Sequence, residues 1–393
     1  MGLLSNKQFR NFFLADIISG FGVGLMTVGA NWYMLAQTKS SKLVGFYLTI
    51  NVIAGFISAP LAGTLTDRFS RRVMILWSFI GRAIPMIVIA GFFIINGFNL
   101  YVMYGLAMLT GAGWITYMSA SRSYIQSILP AELLGSANSF VEVSLQVGMF
   151  IAGAISGVIL NYTGFLAILL INIAMFSVGA LLILLSPKDK VDSDAIRKSE
   201  TGFINGIRYI LTKPVVIVIG ILSVLPLLVT QLFNVSSPAY VSNLLGQNSI
   251  VYGTADMLYG IGGLTAGIIT SWVITKINKK RMISVYFSIA CIVLILLYLG
   301  RMVSLMYICT YAIGLSNSSL RIVTNTVLME NVSKQYMGRT TSIWNGIAQF
   351  IEIFASSWMG IMNDKLGANF GFLIMFIVMG IGLVISLTIR RIE

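Results

Sequence analysis

Twelve long apolar segments constrain the fold of this chain more than any other feature. A helix rises ~1.5 Å per residue, so roughly 20 apolar residues cross a hydrocarbon core of ~30 Å. Lipid offers no hydrogen-bond partner to the backbone, and barrel strands alternate over segments of about ten residues, so these segments predict helices. The sequence therefore predicts an all-α membrane protein with twelve transmembrane helices. They lie near residues 11–35, 43–65, 73–95, 100–121, 138–160, 165–186, 214–241, 249–274, 282–300, 304–329, 340–362 and 369–389.

Positive charge is distributed unevenly between the predicted loops. Of the 26 Lys and Arg residues, 20 lie in alternate loops or at the termini, four lie in the opposite loops, and Arg82 and Arg321 lie inside segments. By the positive-inside rule, we expect both termini to face the cytoplasm. The net charge of +13 then reflects membrane topology, and we predict no nucleic-acid partner.

Several kinds of active site are absent from the sequence. The chain has no histidine, and its two cysteines, Cys291 and Cys309, both lie inside predicted spans, so neither a metal site nor a disulfide framework is expected. No Gly-Lys dipeptide occurs, which excludes a phosphate-binding P-loop. We therefore predict no enzyme activity and no cofactor, and we expect any uphill transport to be driven by an ion gradient.

The order of segments indicates an internal duplication. The one long polar stretch, 187–213, separates an N-terminal half, 1–186, from a C-terminal half, 214–393, and we interpret it as a cytoplasmic linker. A shift of 203 positions places Asn31 on Asn234 and Gln146 on Gln349. Two six-helix halves of this kind place a substrate site between them near mid-membrane.

The polar loop between the second and third segments carries a family signature. "GTLTDRFSRR", residues 63–72, fits the G-x-x-x-D-R-x-x-R-R pattern of the major facilitator superfamily. "FRNFFLADIISGFG", "ILPAELLGSANS", "GFINGIRYILTKP" and "GIMNDKLG" are similar to stretches of its drug-proton antiporter branch, which includes macrolide efflux proteins. The resemblance covers essentially the whole chain and implies the major facilitator fold in a bacterial plasma membrane.

The same loop provides a candidate conformational latch. An aspartate at a helix end can accept hydrogen bonds from neighbouring amides and pair with arginines, which locks one arrangement of the helices. The alternative is a positive-inside anchor, which explains the arginines and leaves the aspartate and the glycine spacing unexplained. We expect the glycine to let helices approach closely. The predicted latch consists of Gly63, Asp67, Arg68, Arg71, Arg72 and Arg122.

Ionisable residues inside the spans are candidates for proton coupling. Such a residue costs on the order of 2.5 to 3.5 kcal/mol to insert, so each should face a partner or a water-filled cavity. One arginine cannot neutralise two acids, and a surplus carboxylate could bind and release a proton during transport. The alternative is a static ion-pair network that sets helix packing. The proton-coupling candidates are Glu142, Asp16, Glu352 and Asp256, and the predicted ion-pair partners are Arg82 and Arg321.

Polar and aromatic residues on the same helix faces predict the substrate cavity. Amides and aromatic rings suit large, partly apolar substrates; for any single aromatic residue, packing or lipid contact is the alternative. The cavity candidates are Asn31, Trp32, Trp114, Tyr117, Gln146, Asn234, Tyr259, Asn345 and Gln349.

Together these patterns predict a secondary transporter that functions as a monomer in the lipid bilayer. Its predicted activity is export of an amphipathic small molecule, such as a drug or macrolide, in exchange for protons. One alternative is export of an endogenous siderophore, lipid or small peptide. A second is a sensor or scramblase that uses the fold without coupled transport.

Overall fold

The computed structural model describes residues 7–186, 203–274 and 276–389, and its regular secondary structure there is entirely helical. Twelve of its helices have 20 or more residues, and α7 is a shorter helix of nine. The helices are α1 Lys7–Thr38, α2 Ser41–Arg68, α3 Arg71–Asn96, α4 Leu100–Ile128, α5 Ala131–Tyr162, α6 Phe165–Leu184, α7 Phe203–Leu211, α8 Pro214–Ala239, α9 Ser249–Val273, α10 Lys279–Leu299, α11 Val303–Asn331, α12 Lys334–Leu366 and α13 Ala368–Ile389. The all-helical fold predicted from the sequence is confirmed.

Within the described ranges, eight of these helices are long and apolar enough to cross a membrane by length and composition. The long helices outside that set are α4, α9, α11 and α12. Each of the last three carries one of the ionisable residues predicted inside the spans, Asp256, Arg321 or Glu352, and such a residue lowers the mean hydropathy of its helix. These more polar helices therefore contain many of the residues that the sequence assigns to function.

The chain divides into two compact units, of which the first comprises Met1–Lys39 and Tyr47–Lys198. In this unit α1 packs along α5 and α6, and α3 packs between α4 and α6. Close approach of α1 to α5 depends on glycine, because a Cβ on Gly20 would lie 2.9 Å from the carbonyl oxygen of Leu145. The buried side chains of α1 are thereby placed against residues of α5.

The second unit comprises Ser40–Phe46 and Ser199–Glu393. Here α9 packs against α11, α10 against α13, and α8 against α12. Asp364 binds the first turn of α2: its Oδ1 accepts from the Ser41 amide (2.6 Å) and its Oδ2 accepts from the Ser40 hydroxyl (2.6 Å) and the Lys42 amide (3.0 Å). A carboxylate at a helix N-terminus satisfies amides that lack helical partners.

Candidate functional site

Asp16 of α1 is completely buried inside the first unit. Its Oδ1 accepts a hydrogen bond from the Tyr117 hydroxyl (2.6 Å), and its Oδ2 accepts one from the Ser144 hydroxyl (3.0 Å). Both donors come from distant parts of the sequence, on α4 and α5 respectively. The structure thus gives this carboxylate a specific hydrogen-bonded position in the interior of the helix bundle.

Arg82 of α3 lies nearby and is 1% exposed. Its guanidinium carbon lies 4.2 Å from the ring centroid of Phe176, 5.4 Å from that of Phe79 and 5.6 Å from that of Tyr117. Its Nε donates to the Ser78 carbonyl oxygen (2.8 Å) and its Nη2 to the Ser19 hydroxyl (3.5 Å). Aromatic faces attract a cation, so Arg82 is held by three rings, one backbone carbonyl and one hydroxyl.

The sequence predicted ion pairs for Arg82 and Arg321. Among the side chains that the structure describes, Lys279 and Glu330 form an ion pair, and neither Arg82 nor Arg321 forms one. Asp16 and Arg82 are instead linked through Tyr117, which donates to the carboxylate and stacks against the guanidinium. The positions of Asp16 and Arg82 along their predicted spans place the two charges at similar depths in the membrane. Those positions could not show that Tyr117 of α4 lies between them.

A small cavity of about 90 Å³ lies inside the first unit next to Arg82. Its wall includes two predicted cavity residues, Asn31 and Trp114, together with Asn51 and Phe176. The Asn51 amide donates to the Ala107 carbonyl oxygen (3.1 Å) and to the Thr110 hydroxyl (2.9 Å). Asn51 and Phe176 were not among the cavity candidates, which were chosen as polar and aromatic residues that share a helix face.

The other first-unit candidates have different positions. Tyr117 is buried beside Asp16, and Trp32 and Gln146 are each partly buried. None of these three lines the cavity. The side chain of Glu142 falls outside the part of the chain whose side chains are described, so its proposed coupling role stays a prediction.

The second unit contains a separate polar network on α8, α9 and α11. Thr230 and Tyr259 share a hydrogen bond of 2.7 Å between their hydroxyls, and the Asn317 amide donates to the Tyr259 hydroxyl (3.2 Å) and to Thr230 (3.4 Å). Asp256 lies one helical turn before Tyr259 and is partly buried. Asn317 was missed at the sequence level because its partners are 58 and 87 positions away.

The remaining second-unit candidates are less enclosed. Arg321 and Asn345 are exposed, whereas Asn234, Gln349 and Glu352 are partly buried. The backbone carbonyl of Glu352 accepts from the Ser356 hydroxyl (2.8 Å), which in turn accepts from the Gln231 amide (3.1 Å). These contacts fix the helices near Glu352 without engaging its carboxylate.

The predicted loop at 63–72 is mostly helical: it comprises the last turns of α2, a two-residue turn at 69–70 and the start of α3, and it contacts the end of α6. Arg72 donates from Nε to the Ile183 carbonyl oxygen (2.9 Å) and from Nη2 to that of Leu184 (2.6 Å). A cation at a helix C-terminus satisfies its free carbonyls and complements its dipole. Arg68 and Arg122 are exposed and Arg71 is partly buried, while the Asp67 side chain lies outside the described side chains.

One expectation about this loop is wrong. Gly63 was expected to allow close helix contact, but a Cβ built there would meet no atom within 4 Å. The expectation was based on the G-x-x-x-D spacing. Spacing alone cannot show whether a second helix packs against Gly63. Any requirement for glycine at this position arises from something other than packing in this conformation.

The linker contains a helix that the sequence analysis did not predict. On α7, Tyr209 stacks on Tyr336 of α12 with ring centroids 4.3 Å apart and planes at 6°, and its hydroxyl accepts from the Ser333 amide (3.0 Å). Lys213 lies 5.0 Å from the Tyr209 ring centroid and donates to the Asn331 carbonyl oxygen (3.1 Å). The signal was the helical spacing of apolar residues in "FINGIRYIL".

Tyr209 provides a testable pH dependence outside the membrane-spanning helices. Hydrogen bonds to Ser333 and the nearby Lys213 ammonium lower the pKa of Tyr209 to about 8. These interactions favour the phenolate, so their stabilising effect is present at high pH and is lost as the pH falls through about 8. The measurement is an ultraviolet pH titration of the wild type and of Tyr209→Phe. We expect the difference between the two titrations to show one tyrosine that ionises near pH 8. A difference spectrum that develops only at the ordinary tyrosine pKa would contradict the docking of α7 on α12.

Comparison with known proteins identifies the family. The family model for the Major Facilitator Superfamily matches residues 12–351 and 219–393. A curated relative is the enterobactin exporter EntS of Escherichia coli O1:K1 / APEC, 23% identical over 354 residues, which cover 87% of this chain and 82% of that protein.

Solved structures show the same fold. A crystal structure of a D-xylose-proton symporter superposes with a TM-score of 0.77 and 16% identity, covering 98% of this chain and 97% of the other. A bacterial homologue of the human lysosomal transporter Spinster, in an inward-facing and unoccupied conformation, gives a TM-score of 0.80 and 13% identity, covering 98% and 96% of the two chains. The predicted major facilitator fold is therefore confirmed, and both the fold and the relatives are those of transporters and not of enzymes.

Proposed function

The chain belongs to the major facilitator superfamily, and from that premise we propose that it exports a small organic molecule from a bacterial cell in exchange for protons. The bilayer is its environment, and the substrate and protons are its partners. Export is supported by the enterobactin exporter among its relatives. The proposed orientation, with both termini in the cytoplasm, rests on the distribution of Lys and Arg.

Asp16 is the observation that carries proton coupling. It is completely buried, and its two oxygens accept hydrogen bonds from hydroxyls on α4 and α5. Ionisable groups inside transmembrane helices are expensive to insert and commonly form proton relays. Gain or loss of a proton at Asp16 changes which of these hydrogen bonds can form, and thereby links protonation to the packing of three helices.

The substrate is proposed to be an endogenous product of the siderophore kind. The enterobactin exporter supports this choice, whereas drug or macrolide efflux rests on the sequence resemblance to the antiporter branch. Both classes are amphipathic small molecules, so both belong in one experimental panel. A lipid or peptide substrate, or a sensor without transport, has no comparable support.

The loop at 63–72 is proposed to control the conformational cycle. Arg72, in the first turn of α3, donates to two carbonyl oxygens at the end of α6, so this part of the 63–72 segment is a structural contact. The latch role of Asp67 is proposed from the signature alone. Asp67→Asn should lower transport about tenfold or more at normal membrane abundance, because hydrogen bonds to charged groups contribute about 1.5 to 3 kcal/mol each. Transport at the wild-type rate would reduce the loop to an anchor.

A proteoliposome assay tests the proposed function. The purified chain is reconstituted, a pH gradient is imposed, and accumulation of catecholate siderophores, macrolides and cationic dyes is compared. We expect at least one compound to accumulate against its gradient and to be released when an ionophore collapses the pH difference. Accumulation that survives the ionophore, or no accumulation of any compound by monodisperse protein, would contradict the proposal.

A further inference from the structure

The cavity beside Arg82 is enclosed by residues from five helices of the first unit. Its wall includes Asn31 of α1, Tyr47 of α2, Arg82 of α3, Trp114 of α4 and Phe176 of α6. Its volume of about 90 Å³ accommodates a group the size of a carboxylate with part of an attached ring, or a few water molecules. It is therefore a specific pocket within one unit, lined by both polar and aromatic side chains.

The cation in this pocket has little hydrogen bonding from the protein. Arg82 is 1% exposed, and among the described residues its several N–H groups find two acceptors, one for Nε and one for Nη2, the second at 3.5 Å. No carboxylate among the described side chains forms an ion pair with it. A buried charge is strongly unfavourable unless it is paired and hydrogen-bonded. The position of Arg82 in the cavity wall therefore favours a negatively charged occupant.

Asn31 supplies a second, independent observation. Its side chain is 0% exposed, and neither its amide nitrogen nor its oxygen has a hydrogen-bond partner in the described part of the chain. Buried polar groups are nearly always hydrogen-bonded, and each one without a partner requires an explanation. Asn31 lines the same cavity as Arg82. An occupant that accepts hydrogen bonds would satisfy both side chains.

The rest of the wall favours an aromatic occupant. Trp114, Tyr47 and Phe176 contribute ring surface to the cavity, and flat rings pack well against other aromatic rings. Asp16 does not line the cavity, and its oxygens already accept from Tyr117 and Ser144. Asp16 therefore occupies no part of the cavity wall, and Arg82 faces the cavity without an ion pair to a carboxylate among the described side chains.

We infer that this cavity binds the anionic group of an aromatic small molecule, a carboxylate or an ionised phenol, with Arg82 and Asn31 as its ligands. The inference rests on the proposed function and narrows it, because it assigns the exported substrate to the class of aromatic organic anions. Arg82 then serves as a substrate-binding residue and not as the ion-pair partner expected from the sequence.

Benzoate and benzamide are the probes, because they share a shape and differ in charge. Their affinities are measured by calorimetry and by tryptophan fluorescence, to which Trp114 contributes, with the purified protein in lipid nanodiscs. We expect benzoate to bind the wild type about tenfold or more tightly than benzamide, as charge-assisted hydrogen bonds are stronger than neutral ones. Arg82→Gln should remove that preference, and Arg82→Lys should retain part of it.

Asn31→Asp is the sharpest variant. It keeps the size of the side chain but places a carboxylate in the cavity beside Arg82, so benzoate affinity should fall about tenfold or more. The matched control is Arg301→Gln, which removes an exposed arginine outside the cavity and should bind benzoate as the wild type does.

Three results would overturn the inference. The first is equal affinity of the wild type for benzoate and benzamide. The second is unchanged benzoate affinity in both Arg82→Gln and Asn31→Asp. The third is displacement of benzoate by chloride at equal concentration, which would make the pocket a site for inorganic anions. The binding measurements need no gradient, so the inference and the proposed function can fail separately. Transport of cationic dyes alone would refute the inference and leave the proposed function standing. Benzoate binding without any transport would support the inference and contradict the proposed function.

Discussion

Asp16→Asn should abolish accumulation driven by a pH gradient in proteoliposomes. The asparagine can still accept from Tyr117 or Ser144, so helix packing should survive, but it cannot gain and lose a proton. Movement of substrate down its own gradient should therefore persist while uphill transport falls to the level of protein-free liposomes. The measurement is initial rate and final accumulation, with and without the pH difference, for the compound that the wild type transports.

The control for this variant is Glu330→Gln, which neutralises an exposed carboxylate paired with Lys279 and should transport normally. Glu142→Gln is assayed in parallel, because sequence analysis named Glu142 first among the coupling candidates. Uphill transport by Asp16→Asn at the wild-type rate would remove Asp16 from the mechanism. Loss of uphill transport in Glu142→Gln alone would move coupling to that carboxylate.

Gly314→Val should prevent the second unit from folding normally. Gly314 of α11 faces the backbone of Tyr259 on α9, and an added Cβ would overlap the Tyr259 carbonyl group. Neither backbone can move without separating two helices that pack along their length. Overpacking of a well-packed core destabilises by about 1 to 3 kcal/mol and occasionally more, and a backbone clash should lie at the upper end. Thermal unfolding in detergent, together with membrane abundance, measures the effect.

Gly380→Val is the matched control, because a Cβ at that position of α13 meets no atom within 4 Å. It makes the same chemical change in the same unit and should unfold near the wild-type temperature. Equal stability of the two variants would show that α9 and α11 do not approach closely at Gly314.

Hydrophobicity was sufficient to predict the long helices, because a continuous apolar segment of about 20 residues satisfies its backbone polar groups within a bilayer by forming a helix. Several helices nevertheless extend beyond the predicted segments: α1 covers Lys7–Thr38 where 11–35 was predicted, and α2 covers Ser41–Arg68 where 43–65 was predicted. The prediction measured the apolar stretch alone, whereas helical hydrogen bonding continues into the polar residues at each end. α7 was missed because its apolar residues lie within a linker that is polar on average.

The sequence identified which residues belong to the candidate site more successfully than it identified the residues they contact. Asp16, Asn31, Arg82 and Trp114 stand out in sequence as polar, charged or aromatic side chains inside apolar helices, and the structure places them in the first unit near one another. For Arg82 and Asp16, important contacts come from residues 63 to 128 positions away, such as Ser19 for Arg82 and Ser144 for Asp16. Helix periodicity defines a face of one helix but does not identify the helix that packs against it. The sequence therefore predicted an ion pair for Arg82, whereas in the structure its guanidinium packs against aromatic rings.

Proton movement driven by substrate tests the central claim most directly. Liposomes that contain the wild-type chain and an internal pH indicator are given a gradient of a transported compound, with no pH difference imposed and the membrane potential clamped. We predict a change in internal pH that follows the compound's flux, reverses when its gradient is reversed and disappears in Asp16→Asn. Flux of the compound without any change in internal pH would contradict proton-coupled export.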